Sequence, residues 1–285
     1  MKLEKSSRAS RIVCTLGPAT DSSEVLERMV RAGMNVARFN FSHGTHESHQ
    51  AIFNRLRDVS QKVGIEVAIL QDLQGHKVRV GHVVGGEALV LSLGQKIRLG
   101  TGDAVTAERI GIDYEGMGDF VEPGHHIYLD DGLIDLKICM REGEDLICKV
   151  MVEGALKSRK GVIFPHSDLK FPLINEKDLL DARFGVELGV DMVAMSFIRS
   201  ATEIFEMRIR MGEWGSKDTF IIAKIEDRKG IENLDEILHV ADGILIARRR
   251  HGGHPAEGAG AGYSGQDHTT GEYLWSPCHY CNPDA

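Results

Sequence analysis

The sequence lacks any long apolar run. Nowhere in its 285 residues do about 18 apolar residues follow one another, which is the length that a transmembrane helix requires. The first residues, MKLEKSSRASRIVCTLG, contain no apolar segment of the length found in signal peptides. We therefore expect a cytoplasmic protein that does not act within a membrane.

The chain also lacks an excess of basic residues. Lys and Arg number 34 against 42 Asp and Glu, which gives a net charge of −8. Proteins that bind nucleic acids or anionic membrane surfaces need a positive surface to neutralise phosphates. The composition therefore argues against nucleic acid and against membrane as partners.

Cysteine is scarce and irregularly spaced. The five cysteines are Cys14, Cys139, Cys148, Cys278 and Cys281. An odd number without regular spacing fits reduced thiols better than a disulfide framework. The pair at 278 and 281 has the CxxC spacing of a zinc site, but such sites need a second pair of ligands, so a zinc-binding tail is only an alternative.

What is present is a repeated alternation of apolar and amphipathic segments. Residues 1–75 contain RIVCTL, MNVARFNF and VAILQDL as apolar runs, separated by helical stretches such as SSEVLERMVRAG. Strands separated by helices of this length have to be parallel and buried. The rhythm resumes in residues 172–248 with VDMVAMSF, TFIIAKI and GILIAR. Both stretches therefore predict parts of one β/α domain.

Two other stretches differ in character. Residues 76–171 are rich in glycine and in short alternating segments such as EALVLSL and HHIYLDDGLIDLKICM, which predict an inserted antiparallel β domain. Residues 249–285 contain no Ile, Val, Phe, Met or Lys and a single leucine, Leu274. Such a composition cannot bury a core, so we expect an aberrant, disordered tail.

The segment IIAKIED is the most informative one for chemistry. Lys224 and Glu226 lie two residues apart at the end of an apolar run. Because a strand alternates faces with a period of two, both side chains project from the same face and can converge on one phosphate and one metal ion. On its own, such a pair is more commonly a solvated ion pair on an exposed strand.

Several motifs together resemble pyruvate kinase. They are VCTLGPAT, NVARFNFSHGTHESH, LQDLQGHKVRVG, YLDDGLI, KGVIFP, EKDLLDARFGVELGVDMVAMSFIR and IIAKIEDRKGIENLDEI, and the likeness runs from about Arg11 to Arg248. The resemblance implies a (β/α)₈ TIM barrel, here incomplete, with an antiparallel β-barrel lid domain inserted after the third strand. In such barrels the chemistry lies at the carboxyl ends of the strands.

The resemblance assigns roles to residues at the ends of several strands. Lys224 matches the lysine that neutralises the phosphoryl group in transit, and Arg38 matches the arginine that grips the substrate phosphate. Glu226 matches one of two acidic ligands of Mg²⁺, a hard cation that prefers carboxylate and phosphate oxygens. Ser196 matches a further substrate-binding position. The positions that approach the nucleotide are His43, Arg79 and Lys160.

A monovalent cation site is implied as well. In potassium-dependent relatives its oxygen ligands correspond to Asn40, Ser42, Asp72 and Leu73. The segment GHKVR, however, places Lys77 where those relatives have glutamate. A tethered ammonium supplies the positive charge of K⁺ and would repel the ion, so we predict that K⁺ is not required. His76 replaces the family's proline, which we expect to loosen the connection to the lid.

The likeness breaks at Arg249. The family continues there with Gly-Asp-Leu/Met-Gly, whose aspartate is the second Mg²⁺ ligand, whereas this chain reads Arg249-Arg250-His251. Read from the second base of each codon, residues 249–253 can encode Gly-Asp-Met-Gly-Val, and residues 279–285 can encode the family's next signature, Ile-Thr-Ala-Thr-Gln-Met-Leu. We therefore hypothesise one extra nucleotide at the codon of Arg249. With six of eight strands, we expect an uncovered edge near residues 244–247 and little or no activity.

The function that the resemblance implies is phosphoryl transfer from phosphoenolpyruvate to ADP with Mg²⁺, by a homotetramer in intact relatives. A non-catalytic fragment that binds nucleotide or a partner is the main alternative. A metal-dependent aldolase barrel is another, although such a barrel would need neither the inserted domain nor the NFSHG segment.

Overall fold

A computed structural model describes residues 10–165, 167, 169–216, 218–226, 228–247 and 273–277. The described chain divides into two compact units. The barrel unit holds the described residues up to His76 and from Pro172 onward, and the inserted unit is Lys77–Phe171.

The barrel unit is built on a seven-stranded sheet in the order β1-β2-β3-β14-β15-β16-β17. These strands are β1 (Val13–Leu16), β2 (Val36–Asn40), β3 (Ala68–Asp72), β14 (Met192–Met195), β15 (Phe220–Ile225), β16 (Gly243–Ala247) and β17 (Tyr273–Pro277). All neighbours from β1 to β16 pair in parallel, as the β/α rhythm predicts. The chain is thus an α/β protein with an incomplete barrel.

The barrel strands bury both faces. Leu70, Ala194, Ile222 and Leu245 form a small cluster on one face of the sheet. Their neighbours in the chain belong to the large core under the helices, and Ile69, Val193 and Ile221 are each at most 1% exposed. Burial of both faces explains why these strands read as continuous apolar runs. Met195, Met207 and Met211 are buried in the large core.

Among the described residues, six α-helices accompany the sheet. They are α1 (Ser23–Ala32), α2 (His46–Val63), α3 (Glu176–Leu188), α4 (Ala201–Glu213), α5 (Arg228–Glu232) and α6 (Leu234–Val240). Local sequence fixes several ends: the side chains of Ser22, Thr45 and Asn175 cap the amino ends of α1, α2 and α3. Each of these three helices ends at a glycine in the left-handed conformation.

The described part of the inserted unit contains ten short strands. They are β4 (His82–Val83), β5 (Leu89–Leu91), β6 (Lys96–Thr101), β7 (Ala104–Val105), β8 (Arg109–Ile112), β9 (His126–Leu129), β10 (Ile134–Glu142), β11 (Asp145–Val152), β12 (Gly154–Leu156) and β13 (Val162–Ile163). Most pairs are antiparallel, as expected, but β6–β8 and β4–β7 are parallel. The reason is local, because the chain reverses direction twice. It turns from β6 into β7 and then from β7 into β8, which pairs antiparallel with β7, so β8 runs in the same direction as β6.

The edge of β16 differs from expectation. We expected it to be uncovered, whereas β17 pairs with it antiparallel from Gly243↔Pro277 to Ala247↔Tyr273. An open strand edge presents unpaired N–H and C=O groups, which any extended segment can satisfy regardless of its side chains. The rest of the predicted disordered tail, including Cys278 and Cys281, lies outside the described residues.

His76 lies at the connection to the insertion. It is the last residue of the barrel unit before the insertion, and Pro172 is the first one after it. Burial lowers the pKa of the His76 ring, while the backbone groups of Pro172 and Leu173 act in the opposite direction. The looser connection expected from this residue stays a prediction.

Among the described residues, no helix is both long and apolar enough to cross a bilayer.

Candidate active site

The carboxyl end of β15 carries the two residues that the sequence singles out. Lys224, on the strand, is only 6% exposed, and Glu226 follows the strand's last residue. Nζ of Lys224 lies 3.6 Å from Oε2 of Glu226. The period of two therefore brings both side chains to one face, which confirms the geometric prediction.

A second carboxylate joins Lys224 to Arg38. Oδ1 of Asp72, at the end of β3, lies 3.1 Å from Nζ of Lys224. Oδ2 of Asp72 accepts a hydrogen bond from Nε of Arg38 at 2.7 Å and lies 2.5 Å from its Nη2. Arg38, Asp72 and Lys224 are all buried. Two cations and two carboxylates thus balance in one cluster, and an unpaired charge there would cost several kcal/mol.

Two hydroxyl groups complete the polar cluster. Ser196, just after β14, accepts a hydrogen bond from Nζ of Lys224 at 2.7 Å and donates one to the carbonyl oxygen of Leu73 at 2.7 Å. Thr15 of β1 accepts from Nη1 of Arg38 at 2.8 Å. The ammonium and the guanidinium are therefore each oriented by a carboxylate and a hydroxyl, a preorganised arrangement suited to a phosphate group.

The loop after β3 is held against this cluster by a buried carboxylate. Asp178 of α3 accepts hydrogen bonds from the backbone N–H of Gln74 at 3.1 Å and of Gly75 at 2.8 Å. Burial raises the pKa of Asp178, while these two N–H groups and Asn175 act in the opposite direction. Gly75 in turn passes so close to Ser196 that a Cβ there would lie 2.7 Å from the serine Cβ.

A family model described as the pyruvate kinase barrel domain matches residues 7–253. The chain belongs to the pyruvate kinase family. It is 41% identical over 246 residues to a pyruvate kinase of Leishmania mexicana, covering 85% of this chain and 49% of that protein. It is 42% identical over 244 residues to a pyruvate kinase of Dictyostelium discoideum, covering 84% of this chain and 48% of that protein. The chain therefore spans about half the length of the curated relatives that it matches, and the family is one of enzymes.

The magnesium site that this family implies is only partly represented. Glu226 is in place, and its Oε2 also accepts the N–H of Phe197 at 3.1 Å. Phe197 has a φ of 58°, so a strained backbone holds this contact. Asp72, the other nearby carboxylate, is engaged by Arg38 and Lys224. Within the described ranges no group of three or more His, Cys, Asp or Glu side chains could hold a metal. Mg²⁺ is usually bound through one or two carboxylates and completes its shell with water and phosphate oxygens, so Glu226 alone fits part of such a site.

The oxygen atoms assigned by resemblance to a monovalent cation lie near the same strand ends. Oδ1 of Asn40 accepts the N–H of Ser42 at 3.1 Å. The carbonyl of Leu73 accepts the hydroxyl of Ser196, and the carboxylate of Asp72 faces Arg38 and Lys224. Protein donors already approach these oxygens in this structure, while their role toward a cation stays a prediction.

The remaining predicted residues lie elsewhere. His43 is exposed in the loop between β2 and α2. Lys77, Arg79 and Lys160 belong to the inserted unit. There, Nη1 of Arg79 donates to the carbonyl of Arg159 at 3.0 Å, and Nζ of Lys160 pairs with Asp130 at 2.8 Å. The structure thus brings Arg79 and Lys160 onto neighbouring segments of one unit.

Sequence reasoning missed Thr15 and Asp178, and it also missed a cluster beside the HGTHESH segment. In that cluster His46 and His49 of α2 face Lys177 and Asp181 of α3. The spacing of His46 and His49 was the signal, because residues i and i+3 lie on one face of a helix.

Proposed function

We propose that this chain represents the catalytic barrel of an enzyme that transfers a phosphoryl group from phosphoenolpyruvate to ADP. The observation that carries the proposal is the buried ammonium of Lys224, held 3.1 Å from Asp72 and 3.6 Å from Glu226. Phosphoryl transfer depends mainly on positioning and on charge stabilisation. Lys224 neutralises the moving group, and Arg38, held across Asp72, binds the phosphate of the substrate.

Mg²⁺ belongs to the proposal through the family. When bound, it would neutralise phosphate charge, and Glu226 is the described residue that would hold it. A single available carboxylate favours a second candidate for the chain as it stands, a barrel that binds substrate or nucleotide without turnover. The nucleotide would be approached by His43, Arg79 and Lys160, and Ser196 would contact the substrate.

A coupled assay of ATP formation separates the two candidates. We expect activity at or near background for this chain, and activity in a version whose reading frame is restored after codon 248. In the restored version, Lys224→Met should lower kcat by at least about 100-fold, as loss of a charge-stabilising group does. Full activity of the Lys224→Met variant would exclude the assigned role.

The same restored protein tests the cation prediction. Because Lys77 stands at the position that repels K⁺, we expect equal rates in sodium-free buffer with and without KCl. Strong activation by KCl would overturn this prediction without affecting the assignment of Lys224.

A further inference from the structure

The loop Asn40–Gly44, here called the 40–44 loop, connects β2 to α2. It carries Asn40, Ser42 and His43, which the family resemblance places near a cation and a nucleotide. The N–H groups of Phe41, Ser42 and His43 are all paired. Phe41 donates to the carbonyl of Asp72 at 2.9 Å, Ser42 to Oδ1 of Asn40 at 3.1 Å, and His43 to the carbonyl of Asn40 at 3.2 Å. Backbone polar groups of a folded loop need hydrogen-bond partners. The carbonyl groups of Phe41 and His43 therefore need donors from elsewhere in the chain.

His49 holds the carbonyl of His43. Nε2 of its ring lies 2.8 Å from that oxygen. A carbonyl only accepts, so Nε2 must carry the hydrogen, an assignment that follows from the geometry. Within the described part of the chain, Nδ1 of His49 is buried and has no hydrogen-bond partner. A second proton there would be a buried N–H without an acceptor, so the ring is a neutral donor.

The electrostatic surroundings agree with a neutral ring. Burial lowers the pKa of His49, while the carbonyl of His43 and the charge of Asp181 act in the opposite direction; His46 and Lys177 also face it and add to the lowering. A histidine whose pKa is lowered by folding stabilises the protein fully above its unfolded pKa of about 6.5. That contribution is lost as the pH falls toward the lowered folded value.

The same ring packs against the loop. His49 is 8% exposed and stacks on Phe41, with ring centroids 4.1 Å apart and an angle of 13° between the planes. It also meets the ring of Phe39 edge-on at 6.1 Å. His49 therefore holds the 40–44 loop by a stack on one residue and by a hydrogen bond to another.

Lys177 holds the other carbonyl. Its Nζ donates to the oxygen of Phe41 at 2.8 Å and to Oδ2 of Asp181 at 2.5 Å. The second oxygen of Asp181 lies 2.7 Å from Nε2 of His46. The two carbonyls on either side of Ser42 are thus each held by a side chain from a helix, one from α2 and one from α3.

We propose that His49 is a positioning residue that fixes the 40–44 loop, and with it Asn40, Ser42 and His43, for binding of a nucleoside diphosphate. Lys177 acts as the second anchor of the same loop. The part that concerns nucleotide rests on the proposed function, whereas the anchoring of the loop does not.

Two substitutions of His49 separate the contribution of its hydrogen-bond donor from that of its stacked ring. His49→Phe keeps the stack on Phe41 and removes the donor, whereas His49→Gln restores an N–H near the position of Nε2. We expect His49→Phe to speed amide hydrogen exchange in the 40–44 loop by roughly three- to tenfold, the equivalent of one lost hydrogen bond, and His49→Gln to bring it back. ADP dissociation constants measured by calorimetry on the same full-length proteins should follow the same order.

Gln50→Ala, an exposed change on the same helix, is the matched control and should alter neither readout. Equal loop exchange in the His49→Phe variant and the unchanged chain would overturn the proposal, as would a His49→Gln variant that behaves like His49→Phe. If the unchanged chain binds no ADP, the proposed function fails while the exchange data still decide the anchoring. If His49→Phe does not fold, Lys177→Met removes the half-exposed second anchor and is read in the same way.

Discussion

Charge burial dominates the site at the scale of single residues. Arg38, Asp72 and Lys224 are each less than a tenth exposed, and Asp72 contacts both cations. A buried ion pair often adds little net stability compared with apolar packing, but removal of one partner leaves an uncompensated charge and is costly.

Asp72→Asn tests this balance through stability. The change keeps the shape of the side chain but leaves two buried cations facing an amide, so we expect a loss of about 3–5 kcal/mol in the free energy of unfolding. Urea denaturation followed by circular dichroism measures it. The control is Glu232→Gln in the exposed pair with Arg228, where we expect a loss of about 1 kcal/mol or less. Equal losses in the two variants would contradict the prediction.

The sequence could predict single residues only where a local period places them. The spacing of Lys224 and Glu226 was enough to predict that they converge, because two residues on one strand share its geometry. Asp178 could not be found in this way, since it contacts Gly75 across 103 positions of the chain. Thr15 likewise meets Arg38 only because β1 and β2 are neighbours in the sheet.

At the scale of elements, close contact between loops decides how the strand ends meet. Gly75 has a φ of +71°, and a Cβ there would lie 2.7 Å from both the Cβ and the carbonyl oxygen of Ser196. The loop after β3 therefore approaches the loop after β14 more closely than any side chain at position 75 would permit. That approach places Ser196 between Leu73 and Lys224.

Gly75→Ala and Gly64→Ala form a matched pair that isolates this contact. Gly64 also has a φ of +71°, but a Cβ there meets nothing within 4 Å. Gly64→Ala should cost about 1 kcal/mol from the backbone conformation alone. Gly75→Ala should cost a further 1–3 kcal/mol, roughly the penalty for overpacking a dense region. Thermal denaturation of both variants provides the comparison, and equal shifts in Tm would show that the contact is not tight.

Element types followed from periodicity, but some boundaries did not. The segment GIENLDEILHVA contributes to two helices, because α5 and α6 are separated at Asn233. Asn233 has φ −101° and ψ 17°, outside the helical range, and its side chain donates to the carbonyl of Arg199 at 2.7 Å. This tertiary contact interrupts the helix at an asparagine, a residue type that readily adopts non-helical conformations. The hydrophobic periodicity of the sequence gives no sign of such a contact.

At the scale of the whole molecule, the parallel strands end shortly before the position where we predict that the likeness to the family breaks. The family model matches through residue 253, and the six parallel strands end with β16 at Ala247. The antiparallel pairing of β17 covers the edge of β16. It supplies no carboxylate of the kind that the family places directly after this strand.

Removal of one nucleotide at codon 249 tests the hypothesis of a shifted frame. The corrected sequence would have an aspartate at position 250, shortly after β16, the strand that pairs with β15. This aspartate and Glu226 could then bind the same divalent cation. Mn²⁺ serves as a spectroscopic probe for Mg²⁺. We expect the corrected protein to bind Mn²⁺ at least tenfold more tightly than the present chain, because the new aspartate adds a second carboxylate ligand to that of Glu226. Asparagine at position 250 of the corrected protein is the control and should return the Mn²⁺ affinity to that of the present chain.

Resequencing of the gene is an independent test of the shifted frame. An intact reading frame, with no sequence typical of the family in the shifted frame, would refute the hypothesis whatever the metal affinity.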